Sequence, residues 1–323
     1  MRRVLPLLLA TVAVAGCGGS GARQPERPAL SPAAQPARSP ALTGKPAGRV
    51  VAVGGAPEAL AIDPTAREVV VAVGDPARLV VLDARTGRRK RTVALIGGAG
   101  SAPSVFTIPD PTGARALATP QAPAAAVVAG RTFVADPRSN TVAVLDDGRP
   151  TARFRVDTDP VALAAADGDH ALAVVSGRER TLALYDPRTL KRLGRAPAGA
   201  GPAQVAAEEG RVYVTDPRGD ALLTFAVHPT LALLRRTALP GRPYAIAADP
   251  VRHRLWVTLP ATNQLVALST TDPPRVLERV PTVRQPDAVA VDTARGTVAI
   301  AGRHAGVVQL TVGSSPPRAR PAR

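Results

Sequence analysis

The chain has 323 residues, a formal charge of +16 and only eight aromatic residues. The charge suggests nucleic acid, but 38 of the 41 basic residues are arginines scattered among acids, and so few rings leave no stacking platform for single strands. A single cysteine, Cys17, cannot form an internal disulfide, so this is not a disulfide-stapled scaffold.

Arg2 and Arg3 precede an apolar run from Val4 to Ala15. That length suits a signal peptide and falls short of the roughly 20 residues that a helical membrane span needs. The run closes on Val14-Ala15-Gly16-Cys17, which resembles the lipobox of bacterial lipoproteins. The resemblance implies a signal peptide over residues 1–16, diacylglycerol on the Cys17 thiol, and a protein held on the extracytoplasmic side of the cell membrane. One acyl chain binds a membrane only reversibly, whereas two anchor it stably.

Residues 17–47 carry Pro25, Pro28, Pro32, Pro36, Pro40 and Pro46, and no hydrophobic period survives that spacing. The composition predicts an extended, semi-rigid tether. The C-terminal residues 314–323, SSPPRARPAR, predict a second disordered stub.

The body, residues 48–313, repeats. A proline opens a short apolar strand at Pro57, Pro123, Pro160, Pro202, Pro243 and Pro286, at intervals of 37–43 residues after a first interval of 66. Second strands follow, such as EVVVAV and RVYVTD, then third strands such as LVVLD and TLALYD. The third strands end at Asp83, Asp146, Asp186, Ala226, Ser269 and Thr311, a second landmark with the same period. Short strands rich in Val, Leu and Thr, in units of about 42 residues, predict an all-β propeller of six four-stranded blades. The sixth unit has only three strands of its own, and GRVVAVGG at 48–55 belongs to no unit, so this N-terminal strand is expected to close the ring. The basic run RTGRRKR, residues 85–91, is read as a solvated hairpin turn.

Tyr213-Val214-Thr215-Asp216 and Ser139-Asn140-Thr141-Val142 resemble the YVTN-type β-propeller repeat, with Asp216 in place of the repeat's Asn. Related propellers often have seven blades, and a seven-bladed ring is the alternative. The extra residues near 98–121 are too few for a four-stranded blade, so they are read as an insertion loop after blade 1.

Function in propellers usually lies at one mouth, where the turns between second and third strands meet the loops entering the first strands. The turns place Asp75, Arg78, Asp136, Arg138, Asn140, Arg178, Arg180, Asp216, Arg218, Asp220, Asn263, Arg303 and His304 there, and the loops add Asp157, Asp159, Arg242, Arg284 and Gln285. The candidate binding set is Asp136, Arg138, Asn140, Asp159, Asp216, Arg218, Arg242 and Arg284, suited to a polar ligand or a protein partner. Asp-Pro-Arg-x-Asn/Asp is also good turn chemistry. No cofactor is expected. Ca²⁺ on Asp75, Asp136, Asp159 and Asp216 is the alternative, since hard cations take oxygen ligands. Of His170, His228, His253 and His304, only His304 maps to this mouth, and no G-x-S-x-G is present. The expected function is a monomeric binding or scaffold module; the alternative is a propeller enzyme such as a lactonase or lyase.

Overall fold

A computed structural model describes residues 32–74, 76–94, 105–108, 115–118, 124–208 and 210–312. Cys17 with the signal peptide, Asp75 and the tail 314–323 lie outside the described residues. The first strand, β1 (Arg49–Ala52), stands apart from the repeat that follows it. Blade 1 consists of β2 (Pro57–Asp63), β3 (Glu68–Val73), β4 (Arg78–Asp83) and β5 (Arg89–Ala94), and a hairpin of β6 (Val105–Ile108) and β7 (Arg115–Ala118) comes after it. Blade 2 is β8 (Ala125–Val128), β9 (Arg131–Asp136), β10 (Thr141–Asp146) and β11 (Arg149–Arg155). Blade 3 is β12 (Pro160–Ala166), β13 (Ala171–Ser176), β14 (Thr181–Tyr185) and β15 (Arg192–Pro197). Blade 4 is β16 (Val205–Glu208), β17 (Arg211–Asp216), β18 (Ala221–Ala226) and β19 (Ala232–Ala238). Blade 5 is β20 (Ile246–Asp249), β21 (Arg254–Leu259), β22 (Gln264–Ser269) and β23 (Val276–Pro281). Blade 6 is β24 (Pro286–Asp292), β25 (Thr297–Gly302) and β26 (Val307–Val312), with β1 as its outermost strand.

The six blades are antiparallel meanders, and the protein is an all-β, six-bladed propeller. In blades 3 to 6 the second and third strands are apolar on both faces because both faces meet a neighbouring blade. β3, β13 and β21 are buried at every position. The outermost strands β5, β19 and β23 are largely exposed and carry the arginines. The core is correspondingly divided into sectors between blades. Val214 and Leu223 of blade 4 pack with Val175 and Leu184 of blade 3, and Leu222 with Val257 and Leu268 of blade 5.

The insertion after blade 1 contains a hairpin, β6–β7, where the sequence predicted only a loop. β7 lies against both β2 and β8, the innermost strands of blades 1 and 2, so the hairpin occupies part of a seventh sector without making a blade. Its two strands are four residues each, too short to display a legible period.

Closure uses the predicted strand. β1 pairs antiparallel with β26 in the register Arg49↔Leu310 to Ala52↔Val307, and the Val53 amide donates to the Gly306 carbonyl at 2.9 Å. Val53 is fully buried in the cluster joining blades 6 and 1, whereas Val50 is 43 % exposed. On the opposite side of the disc, arginines tie blade 4 to blade 5, blade 5 to blade 6 and blade 6 to blade 1 through carbonyls: Arg211 to Thr270 at 2.9 Å, Arg252 to Thr293 at 2.8 Å and Arg295 to Pro64 at 2.7 Å. Of the basic run at 85–91, residues 85–88 form the β4–β5 connection and the rest opens β5, where Lys90 and Arg91 pair with Glu68. The Arg91 hydrogen bond holds that carboxyl below the usual range.

Replacing Val53 by Ala should cost about 2 kcal/mol, the lost methyl groups plus an unfilled cavity. Val50→Ala, on the exposed side of the same segment, should stay within about 0.5 kcal/mol. Denaturant midpoints of the two variants measure the contrast.

Candidate functional site

On the predicted mouth, which we call the loop face, most candidate side chains first serve the turns that carry them. Asp136 ends β9 and accepts from the Arg138 and Ser139 amides at 3.1 and 3.3 Å and from the Ser139 hydroxyl at 2.6 Å, which lowers its pKa. Arg138 is left exposed at the tip of that turn. Asp216 is buried, and its two oxygens accept from the amides of Ala200, Gly201 and Gly219 at 2.9–3.0 Å. That carboxylate fixes the loop entering blade 4.

A second device occurs in blades 2 and 4 at the last residue of the turn, which sits in the left-handed region. Asn140, at φ 56°, points Oδ1 at the Asp159 amide, 2.9 Å away. Asp220, at φ 47°, does the same for the Arg242 amide at 2.8 Å. Asp159 and Arg242 themselves have φ of 63° and 60° and immediately precede the prolines that open β12 and the loop to β20. Side-chain oxygens thus pin two strained entries to the inner strands. The Arg242 guanidinium also donates to the Pro217 carbonyl at 3.2 Å.

Between blades 5 and 6 the device is different. Asn263, at φ 51°, is the equivalent residue, and Gln285, at φ 58°, is the strained entry. The Gln285 amide donates instead to the hydroxyl of Ser39, at 3.1 Å, and Asn263 Nδ2 donates to the Pro40 carbonyl at 3.0 Å. Asn263 Oδ1 is buried without a hydrogen-bond partner among the described residues. Both partners come from the stretch that composition predicted to be tether. Its second half does not stand free: residues 32–47 cross the loop face as a strap.

The strap starts at blade 4, where the Arg218 guanidinium donates to the Pro32 carbonyl at 2.6 Å. Gln285 Nε2 donates to the Ala37 carbonyl at 2.8 Å, and Arg284 Nε to the Ser39 carbonyl at 3.4 Å. The Ser39 hydroxyl donates to the Pro260 carbonyl at 2.6 Å, and its amide to Gln285 Oε1 at 3.1 Å. The strap then leaves beside blade 6, with the Ala47 amide on the Pro281 carbonyl at 3.0 Å, and continues into β1. Candidates Arg218 and Arg284 therefore meet on one polypeptide segment, while Asp136, Asn140, Asp216 and Arg242 serve the turns and entries around them and Asp159 is itself a capped entry. The sequence offered no signal for Ser39, because a proline-rich stretch reads as solvated until its carbonyls find donors.

At the same face, Asp287 follows Pro286 as Glu58 follows Pro57. Gln285 Nε2 donates to Asp287 Oδ1 at 3.0 Å, and Arg303 pairs with Glu58 at 3.1 Å. Burial pushes the Asp287 carboxyl up from 3.8 to about 6, against the opposing pull of the Gln285 hydrogen bond and the Arg303 charge. Burial, and secondarily the nearby Asp287 charge, pushes Tyr244 up to about 12. Within the ring, the inner strands surround a cavity of about 560 Å³ walled by small residues such as Ala126, Ala164, Ala206 and Ala247. Asp167, Asp169 and Glu208 stand at its end opposite the loop face. His304 lies in the short turn Arg303–Ala305 on the loop face; His228 and His253 sit on the other face, against Asp167 and Glu208. No cluster of three or more metal-ligating side chains occurs among the described residues, and of the Ca²⁺ alternative Asp136 is bound within its own turn and Asp216 by its turn and the loop entering blade 4.

Fold and face together define a six-bladed β-propeller with a polypeptide strap over one mouth. No protein-family model and no curated protein matches the chain. Among solved structures it is similar to a streptogramin B lyase, at 14 % identity and TM-score 0.65, over 82 % of this chain and 98 % of that one. It is also similar to a chain of the mitotic checkpoint complex, at 12 % identity and TM-score 0.67, over 87 % and 98 %. A third is the Cps50 (Swd1) β-propeller domain of Myceliophteria thermophila, at 10 % identity and TM-score 0.54, over 82 % and 100 %. At these identities the likeness is one of fold.

Between pH 3.8 and about 6 the folded chain keeps a proton on Asp287 that the unfolded chain releases. Stability therefore falls as pH rises through that window and stays lowered above it. Asp287→Asn should be more stable than the wild type above pH 6 and should lose this advantage by pH 4. Urea titrations of both proteins across that range measure it.

Proposed function

We propose that this protein is a lipid-anchored, extracytoplasmic β-propeller that acts as a binding or scaffold module, taking a protein partner or polar ligand at its loop face. The observation that carries the reading is the strap. Arg218, Asn263, Arg284 and Gln285 hold a polypeptide by its carbonyls, so the face has the donors and the shape to hold protein. The exposed Arg138 and Arg242 extend the same donor chemistry around the rim. One of the similar structures is a chain of a checkpoint complex, company that suits a binding role. Attachment at Cys17 places the propeller beside envelope partners and supplies the anchor that no helix among the described residues could provide.

A second reading, a propeller lyase, draws on the similarity to the streptogramin B lyase and on Asp287, whose raised pKa suits general acid–base work. Turnover of a cyclic ester substrate that Asp287→Asn abolishes would favour it over binding.

Fatty-acid labelling should tag the wild type and leave Cys17→Ser unlabelled and released from the membrane fraction. For the face, a photo-crosslinking residue at position 138 should capture an envelope protein, whereas one at position 88, in the outer basic turn, should not. Arg138→Ala/Arg242→Ala should weaken capture about tenfold or more, since each charge-assisted bond contributes about 1.5–3 kcal/mol. Equal capture from both positions would remove the loop face as the binding surface.

A further inference from the structure

We infer that the strap is an exchangeable ligand held in cis, and that the loop face takes in its place an extended, proline-rich segment of a partner, anchored by a Ser-Pro dipeptide. This deepens the binding reading above and rests on it. The inference starts from Asn263. In blades 2 and 4 the equivalent side chains, Asn140 and Asp220, cap the next entry amide from within the ring. In blade 5 that amide, on Gln285, belongs to Ser39 of the strap, and Asn263 turns its Nδ2 to the Pro40 carbonyl while its Oδ1 stays buried and unbonded. When the strap leaves, rotation of the carboxamide brings Oδ1 to the Gln285 amide, as Asn140 already does for Asp159. The Gln285 amide thus has a partner with the strap, in the Ser39 hydroxyl, and another without it, in Asn263. Asn263 and Gln285 form the two-state element between them.

The strap's own contacts favour exchange. From residue 32 to 42 it runs without a turn or bend. Its side chains are mostly exposed or half-buried, and only Ala34 and Ser39 are buried. Few buried apolar contacts mean a low local opening free energy. Recognition goes mostly to carbonyls and to Ser39: Arg218, Gln285, Arg284 and Asn263 donate to the Pro32, Ala37, Ser39 and Pro40 carbonyls, the Ser39 hydroxyl accepts from the Gln285 amide and donates to the Pro260 carbonyl, and the Ser39 amide donates to Gln285 Oε1. Prolines have no N–H and leave their neighbours' carbonyls without strand partners, so a proline-rich segment suits a surface whose side chains mostly donate, with Ser39 supplying the two donors its acceptors take. Any segment with a hydroxyl residue before a proline in such a run can make the same bonds. The covalently attached strap competes at high effective concentration, which makes it a gate.

The test uses full-length chains and a fluorescent synthetic peptide of residues 31–44, read by anisotropy. In a chain whose residues 32–42 are replaced by a Gly-Ser run, the peptide should bind at least tenfold more tightly than to the wild type. Adding Asn263→Asp, which keeps an acceptor for the Gln285 amide but removes the donor to the Pro40 carbonyl, should weaken that binding. A peptide with Ser39 changed to Ala should bind less well. Should the replaced chain fail to fold by circular dichroism, the Ser39→Ala chain, a weaker cis competitor, should still take up the wild-type peptide more tightly than the parent does. Equal peptide binding by strapped and released chains, or none by a folded released chain, overturns the inference. So does a released chain that dimerises and ignores the peptide, which assigns the face to a second copy. Capture of an envelope protein through Arg138 and Arg242 without any peptide binding also overturns it, and leaves the binding module standing.

Discussion

A blade of this propeller cannot bury its faces by itself. Its second and third strands are apolar on both sides, so each side must be covered by a neighbour. The ring must therefore close, and closure falls to the pairing of β1 with β26. Val53 and Val51 enter the cluster shared by blades 6 and 1 from this strand, so the N-terminal segment contributes to the core as well as to the sheet. The hairpin β6–β7 does a related job between blades 1 and 2, standing against both innermost strands. Blade 1 carries a small cluster of its own, Ala61, Val70, Ala72, Leu79 and Val81, apart from the one it shares with blade 6.

Closure by the N-terminal strand has a second effect. The chain that precedes β1 must come from somewhere on the disc, and it arrives across the loop face. The route takes it over entries whose strained residues need a side-chain acceptor. Blades 2 and 4 supply that acceptor from within. At blade 5 the arriving chain supplies it through Ser39. The strap and the ring closure are thus one continuous structure: residues 32–40 are gripped by Arg218, Asn263 and Gln285, the Ala47 amide reaches Pro281, and β1 follows.

The same geometry explains why charge on this face is a poor guide to ligand contacts. Asp136, Asp216 and Asp220 each accept backbone amides of the turns or entries around them, and Asn140 does the same by its carboxamide. Short turns between tightly paired strands leave amides pointing at solvent or into the core, and Asp and Asn are the shortest side chains able to reach them. The arginines differ. Arg218 and Arg284 have stems long enough to reach past their own turns to a second segment, and it is those two of the candidate set that touch the strap.

Much of the architecture was legible in the residues because its signals are local. Prolines opening the inner strands, apolar runs of five to seven residues and the missing fourth strand of the last unit each follow from what one strand needs of its immediate neighbours. The Ser-Asn-Thr-Val turn showed where Asn140 would sit, and its left-handed φ of 56° is one that Asn tolerates. The four-residue strands of β6 and β7 were not legible, being shorter than any period that could reveal them. Nor was the strap. Its prolines excluded helix and sheet correctly, and a chain with neither reads as solvent-exposed. By itself the sequence determined six repeating units, their strands and the segment that completes the last blade, since apolar runs, turn residues and repeat length are properties of neighbouring positions. Only the tertiary structure decided that Ser39 would cap Gln285, some 246 positions away, and that Asp287 would be buried enough to hold its proton to about pH 6. Hydrogen bonds to carbonyls carry no sequence pattern, and desolvation depends on what the rest of the chain places overhead.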